Sequence, residues 1–100
     1  MEEQFKKVWK KEDESALREK HVPVVIIEEG KIEVKVGSVE HPMLPEHFIQ
    51  WITIFDGEIE LAKINLTHLI KPEVVFFIKE KISNLRVRIF CNIHGTWEYS

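Results

Sequence analysis

Residues 85–97 have the sequence LRVRIFCNIHGTW, in which an alternating strand pattern runs into a Cys-x-x-His pair closed by a glycine. Because side chains alternate between the two faces of a strand, Cys91 is predicted to share the apolar face of Leu85, opposite Arg86 and Arg88. A tight turn would bring the Cys91 thiolate and the His94 imidazole to one point. Two protein ligands do not hold a transition metal, so further ligands must come from elsewhere. Taken alone, such a cysteine is more often a small buried apolar side chain.

The chain from residue 21 onward carries further short strands. Strands are predicted at residues 22–27, 32–36, 48–55, 58–66, 74–78 and 85–91, with turn signals at Glu29-Gly30 and Asp56-Gly57. Pro42 and Pro45 predict a stiff loop over residues 37–46. About seven strands and little helix predict an all-β fold, an antiparallel β-sandwich of immunoglobulin-like topology. A closed barrel or a jelly roll is the alternative.

The composition indicates a single domain. One hundred residues with 44% hydrophobic content suffice for one core. Residues 1–18, with apolar side chains at Phe5, Val8 and Trp9, are expected to form an N-terminal arm or short helix, and residues 19–100 the domain proper. A single cysteine allows no internal disulfide, and no stretch resembles a signal peptide or a membrane span. We expect a soluble cytoplasmic protein.

The charge distribution excludes some partners. The net charge is −3, and acidic and basic residues are interleaved. This pattern gives no continuous basic face, so neither nucleic acid nor a membrane surface is an expected partner. A small anionic substrate would be attracted only by a local positive field around a site.

Four of the five histidines lie at predicted strand edges or in loops, namely His21, His41, His47 and His94. Each one alone is best explained as an ordinary surface or hydrogen-bonded histidine. If all four join Cys91, five mixed nitrogen and sulfur donors leave one open position on an octahedral ion such as ferrous iron, whereas structural zinc needs only four ligands. His68 has no metal-like context and receives no role.

Two charged residues precede the first of these histidines. A ferrous ion with one thiolate keeps a positive formal charge and favours small anions. Lys20 could guide an anion inward, and Glu19 could occupy the sixth position on the oxidised metal. From the spacing alone, the favoured interpretation is that both residues belong to the end of a solvated charged run, residues 18–20.

Four motifs together resemble a known family. They are EKHVPV at residues 19–24, VGSVEHPM at 36–43, EHFIQWI at 46–52 and CNIHGTW at 91–97. In this order they resemble the iron-binding domain of superoxide reductases, the neelaredoxins and the second domain of desulfoferrodoxins. The resemblance covers residues 19–97 and implies an immunoglobulin-like sandwich that carries one mononuclear non-haem iron.

The resemblance also implies roles for individual residues. The four equatorial histidines map onto His21, His41, His47 and His94, and the axial thiolate maps onto Cys91. By the same mapping, Glu19 is the glutamate that caps the ferric state. Lys20 is the lysine that attracts superoxide and helps to order water for proton delivery.

The activity implied by the resemblance is the one-electron reduction of superoxide to hydrogen peroxide, with a rubredoxin-like protein as electron donor. The single cysteine leaves no four-cysteine site in these 100 residues, so the one-iron class is expected, as a homodimer or homotetramer. A non-catalytic iron protein for electron transfer or small-ligand binding is the alternative function. A zinc-stabilised interaction domain is a third interpretation and requires that some of the four histidines stay unbound.

Overall fold

The structure is a computed structural model that describes residues 14–100. One helix, α1, is followed by seven strands. Their bounds are α1 Glu14–His21, β1 Pro23–Glu28, β2 Lys31–Val36, β3 Ile49–Asp56, β4 Ile59–Asn65, β5 Glu73–Phe77, β6 Leu85–Cys91 and β7 Gly95–Tyr99. Within the described part of the chain, no helix is long and apolar enough to cross a membrane.

The strands form two antiparallel sheets. One has the order β1-β2-β5 and the other the order β4-β3-β6-β7. This arrangement of three strands facing four is that of an immunoglobulin-like sandwich, and it confirms the predicted fold class. The core between the sheets is formed by alternate residues of the central strands, among them Val34, Ile52, Ile54, Val87 and Ile89.

Strand β6 follows the predicted alternation. Val87, Ile89 and Cys91 are fully buried on the inner face. On the outer face, Arg86 and Arg88 both hydrogen-bond the carboxylate of Glu98 in β7. The sequence pattern therefore placed Cys91 correctly at the inner end of a central strand.

Two local features differ from the sequence-based expectation. His21 ends α1 and does not open a strand, because the helix continues through the charged residues 18–20 and β1 begins at Pro23. The last strand, Gly95–Tyr99, was not predicted from the sequence. The apolar residues of the predicted N-terminal arm, Phe5, Val8 and Trp9, lie outside the described residues.

One end of the sandwich collects the segments that carry the candidate ligands. The start of β1, the end of β2, the start of β3, the end of β6 and the start of β7 all lie there, because these strands pair antiparallel in register. Hairpin turns at Gly30 and Gly57, both with positive φ, lie at the opposite end. Residues far apart in sequence therefore meet at one edge of the core.

Candidate metal centre

Four imidazoles form a closed ring at this end of the sandwich. The centroid distances are 4.5 Å for His21–His41, 4.8 Å for His41–His47, 5.3 Å for His47–His94 and 4.9 Å for His94–His21. Neighbouring rings are inclined by 66° to 84°, so each ring presents an edge to the next. All four histidines predicted from the sequence are brought together.

Cys91 lies against this ring. The donor atoms of His21, His47, Cys91 and His94 are all within 4.8 Å of one another, which marks these four residues as a group that could hold a metal ion. His41 is not part of that group, yet its Nε2 atom is 3.1 Å from Nε2 of His21. The arrangement is therefore four nitrogens and one sulfur around a common space.

Backbone carbonyls fix the orientation of the two most buried rings. Nδ1 of His21 donates to the carbonyl of Leu17 at 2.7 Å, and Nδ1 of His41 donates to the carbonyl of Pro42 at 2.6 Å. With the proton on Nδ1, each Nε2 carries a lone pair directed at the common space. Such hydrogen bonds to the second ring nitrogen are the usual way in which ligating histidines are oriented.

Burial keeps both rings neutral. Desolvation lowers the pKa of His21 to about 3 and that of His41 to about 4, against the opposing effect of their hydrogen bonds to Leu17 and Pro42. The charges of the neighbouring histidines lower both pKa values further. Only a neutral imidazole offers a lone pair to a metal, so the site favours the ligating form.

The donor set fits a bound cation. Two Nε2 lone pairs that face each other at 3.1 Å cannot hydrogen-bond one another, and this separation is typical of two atoms bound side by side to one ion. The buried Nε2 of His47 has no hydrogen-bond partner among the described residues. A metal ion would satisfy all three nitrogens at once.

Cys91 is fully buried, and the chain that follows turns back over its sulfur. The backbone N–H of His94 donates to Sγ at 3.4 Å, and Nδ1 of His94 lies 3.9 Å from the same atom. Burial raises the pKa of the Cys91 thiol, while the N–H groups of His94 and Ile93 act in the opposite direction. The positive φ of 82° at Gly95 ends this turn.

The loop that carries His47 is tied to that turn by Asn92. The Asn92 side chain accepts from the backbone N–H of Phe48 at 2.9 Å and donates to the carbonyl of Glu46 at 3.0 Å. Reciprocal backbone hydrogen bonds between Leu44 and His47 close the loop itself. The predicted stiffness of the diproline loop thus has a structural basis, and Asn92 is a positioning residue that the sequence analysis did not identify.

Trp97 packs against the His21 side of the ring. Its indole is fully buried and stacks on His21 with a centroid distance of 5.0 Å and an interplanar angle of 18°. Trp97 belongs to the motif at residues 91–97, but no role was predicted for it. Its position two residues after Gly95 on an inward-facing strand site was the only available signal.

Glu19 and Lys20 lie on the last turn of α1, directly before His21. The Glu19 carbonyl accepts from the Val39 backbone N–H at 2.9 Å and from the Ser38 hydroxyl at 3.3 Å. The charge of Lys20 makes a small contribution to lowering the pKa of His41. Both side chains are exposed to solvent.

His68 takes no part in the ring, as expected. It packs edge-on against Phe48 with a centroid distance of 6.2 Å.

The four ring histidines differ in exposure: His21 and His41 are buried, whereas His47 and His94 are partly exposed. A small molecule could therefore approach the ring from the side of His47 and His94.

Fold and site together define a β-sandwich protein with a cluster of histidines and one cysteine at one end that could hold a metal ion. Residues 13–100 match the sequence profile described as Desulfoferrodoxin. The chain belongs to the desulfoferrodoxin family.

Relatives and solved structures agree with this assignment. The chain is 44% identical over 84 residues to the desulfoferrodoxin of Clostridium acetobutylicum, with 83% of this chain and 63% of the relative covered. It is 43% identical over 96 residues to the superoxide reductase of Pyrococcus abyssi, with 80% and 84% covered. The crystal structure of the superoxide reductase from Treponema pallidum superimposes with a TM-score of 0.74 at 38% identity, with 83% and 68% covered. The chain spans 62% to 63% of the length of several desulfoferrodoxin relatives.

Proposed function

We propose that this chain is a superoxide reductase with one mononuclear iron. The proposed ligands are nitrogen atoms of four histidines and the sulfur of the cysteine, namely His21, His41, His47, His94 and Cys91. The observation that carries the proposal is the closed ring of four imidazoles around a space that the buried thiol also faces. Five such donors suit an octahedral ion with one free position better than tetrahedral zinc.

Iron held there would supply the single electron that, with two protons, converts superoxide into hydrogen peroxide. A ferrous ion held by these ligands would keep a positive formal charge, because Cys91 is the one negatively charged ligand. The site would therefore favour an anion. Lys20, which is exposed and directly precedes His21, adds a positive charge that acts on His41. Proton delivery would use solvent water near Lys20, because both its ammonium and the partly exposed His47 and His94 are accessible.

Glu19 is proposed as the carboxylate that closes on the site after the electron has left. Support comes from its anchored backbone, which fixes the residue directly before Lys20 and His21. Its side chain is exposed to solvent. A negative charge there would be favoured in the more positive, oxidised state.

The proposed partners and compartment follow from this chemistry. Each turnover consumes one electron, so a one-electron donor, a rubredoxin-like protein, must restore the reduced state. A reduced thiol at Cys91 is compatible with the cytoplasm, where glutathione and thioredoxin keep thiols reduced. We place the protein there.

The test is a stoichiometric one. The anaerobic ferrous protein is mixed with a limiting pulse of superoxide, and hydrogen peroxide, dioxygen and oxidised iron are counted. We expect one peroxide and one oxidised iron per superoxide, without dioxygen. The same chain loaded with zinc is the control, since zinc cannot give an electron. Dioxygen released with the peroxide would indicate dismutation, and superoxide decay no faster than in the zinc control would favour a non-catalytic iron protein.

A further inference from the structure

The outer face of the four-stranded sheet carries a pair of aromatic side chains next to Cys91. Trp51 in β3 lies opposite Phe90 in β6, and the two rings stack with a centroid distance of 5.7 Å and an interplanar angle of 12°. Both side chains are partly exposed. Because Phe90 directly precedes Cys91 in the chain, this pair connects the molecular surface to the buried thiol.

A β-bulge directs Trp51 to this face. Strand β3 pairs Ile49 with Cys91 and Trp51 with Phe90, so Gln50 is an additional residue between them. Ile49 is fully buried in the core beside Cys91. In a regular strand Ile49 and Trp51 would share one face, whereas the bulge lets Ile49 face the core and Trp51 face outward. Bulges of this kind often lie next to active sites, where they redirect a side chain.

Cations flank the aromatic side chains of this face. Nζ of Lys63, an exposed residue, lies over the Trp51 ring at 4.7 Å from its centroid. The guanidinium carbons of Arg86 and Arg88 lie 5.3 Å and 5.4 Å from the centroid of the Phe55 ring. Aromatic rings and arginines are the side chains most enriched at the centres of protein interfaces.

The charge of this face differs from that of the whole chain. Two carboxylates lie on it. That of Glu98 is already shared by the two arginines, and Glu60 lies opposite Phe55, toward the Gly57 turn. Three cations therefore outnumber two carboxylates here, although the chain as a whole carries a net charge of −3. An acidic partner would be attracted to this face and repelled by the rest of the molecule.

We propose that the surface formed by Trp51, Phe90 and Lys63 is the docking surface for the one-electron donor, an acidic carrier protein. This inference rests on the function proposed above. One electron passes from the docked carrier across the stacked rings and along the chain from Phe90 to Cys91, whose sulfur is a proposed ligand. No bond forms or breaks, neither ring is oxidised, and the carrier leaves with one electron less.

This route separates the entry of the electron from the entry of the substrate. A small molecule approaches the ring from the side of His47 and His94, which are partly exposed. A carrier docked over those two rings would cover that approach. Entry through Phe90 and Cys91 does not need the ring edges, and its last part runs through covalent bonds, along which tunnelling declines less steeply with distance than through space.

The outer face of the three-stranded sheet offers no comparable connection. Its exposed apolar side chains include Ile26, Val75 and Phe77. Phe77 lies opposite Lys31, beside the Gly30 turn and at the end of the sandwich remote from the histidine ring. Phe77 is therefore an exposed aromatic residue on the wrong face and at the wrong end, which makes it a matched control.

The kinetic test mixes the iron-loaded ferric protein with a reduced rubredoxin as the probe in a stopped-flow instrument. Reduction by ascorbate, which is small enough to reach the site without docking, is measured in parallel. We expect Trp51→Leu to lower the ratio of the rubredoxin rate to the ascorbate rate by about tenfold or more, the effect typical of a central aromatic residue in an interface. Phe77→Leu should leave this ratio unchanged. Equal ratios in the two variants would overturn the proposal.

Binding is measured separately with the zinc-loaded protein, because zinc takes no part in electron transfer. The labelled protein is titrated with the same rubredoxin and followed by nuclear magnetic resonance. We expect the largest chemical-shift changes at Trp51, Lys63 and Phe90. Changes centred on His47 and His94 would contradict the docking surface.

A charge reversal tests the electrostatic part of the surface. Lys63→Glu should weaken rubredoxin binding by about tenfold at low salt, and by less at high salt, because screening removes the difference. Lys79→Glu makes the same change of charge near the Gly30 turn and should leave the binding constant unaltered. Since Lys63 is exposed, this variant tests the surface even if Trp51→Leu does not fold. Equal weakening by both lysine variants would overturn the assignment.

The two proposals fail separately. A protein that yields no peroxide from superoxide, but whose reduction by rubredoxin depends on Trp51, would overturn the activity and support the docking surface. A protein that converts superoxide, but whose reduction by rubredoxin is indifferent to both Trp51 and Lys63, would overturn the docking surface alone.

Discussion

At the scale of single residues, Gly37 determines where His21 can lie. A methyl group on Gly37 would lie 2.6 Å from the backbone carbonyl carbon of Lys20 and would also overlap the carbonyl oxygen of Glu19. Only glycine lets the chain after β2 approach the end of α1 this closely. The segment that carries Glu19, Lys20 and His21 is held against the sheet by this contact.

We predict that Gly37→Ala weakens iron binding by about tenfold or more, because the added methyl group would displace the proposed ligand His21 itself and not only the residues around it. It should also lower the free energy of unfolding by roughly 1–3 kcal/mol through overpacking. Competition with a chelator measures the first effect and urea denaturation the second.

Gly30→Ala is the matched control for this substitution. Gly30 has a φ of 76° in the hairpin turn at the opposite end of the sandwich, so alanine there costs about 1–2 kcal/mol of strain. Its iron affinity should stay that of the unaltered protein. Equal loss of affinity in both variants would show that general destabilisation, and not the contact with residues 19–21, governs the site.

The residues with distinctive chemistry could be predicted from the sequence, whereas the residues that act through their position could not. The histidines and Cys91 are recognisable because few other side chains bind transition metals. Gly37 and Asn92 act through contacts with backbone groups, in the case of Asn92 with Phe48 and Glu46, more than 40 positions away. No local pattern encodes such contacts before the fold is known.

At the scale of secondary structure, period-two patterns predicted best the strands with one apolar and one charged face. Strand β6 is found at its predicted bounds, Leu85–Cys91. Strand β7 was not predicted because its pattern is short and directly follows the turn at residues 91–94, whose Cys-x-x-His pair was interpreted as a loop. In addition, Glu98 is fully buried beneath Arg86 and Arg88, although a carboxylate usually faces water.

The buried Glu98 ties β6 to β7 electrostatically. Burial alone would raise the pKa of its carboxyl, but hydrogen bonds from Arg86 and Arg88 outweigh burial and lower the pKa below the ordinary value of 4.5. A depressed pKa in the folded state contributes stability above the unfolded pKa. That contribution is lost as the pH falls through the lower folded value.

We therefore predict that Glu98→Gln destabilises the protein by about 2 kcal/mol at pH 7, where a charged acceptor is replaced by a neutral one. The difference between the variant and the unaltered protein should shrink below pH 4.5, the ordinary carboxyl value. Urea denaturation at several pH values measures it. A difference that stays constant down to pH 3, about one unit below the ordinary aspartate and glutamate values, would contradict the assigned role of the charge.

At the scale of the whole molecule, the net charge of −3 repels a small anion, and the local charge at the site must overcome this. Lys20 is an exposed cation directly before His21, and its charge acts on His41. We predict that Lys20→Gln slows the reaction with superoxide by up to about tenfold at low salt. The difference in rate between the variant and the unaltered protein should become smaller as the Debye length falls to about 10 Å at 0.1 M salt.

Lys79→Gln provides the control for this effect. Lys79 is exposed and lies next to Ile78, which bonds Gly30 at the opposite end of the sandwich. Its removal changes the net charge by the same amount and should leave the rate nearly unchanged. Equal slowing in both variants would mean that net charge, and not the position of Lys20, controls the encounter.

The central claim is that one iron is held by four histidines and Cys91. The measurement that tests it most directly is the metal content of the purified protein together with its visible spectrum before and after reduction with ascorbate. We predict one iron per chain and a thiolate-to-iron charge-transfer band in the oxidised protein that disappears on reduction and is absent from Cys91→Ser, because a hydroxyl is a poor substitute for a soft donor. A colourless protein with one zinc per chain would contradict the account.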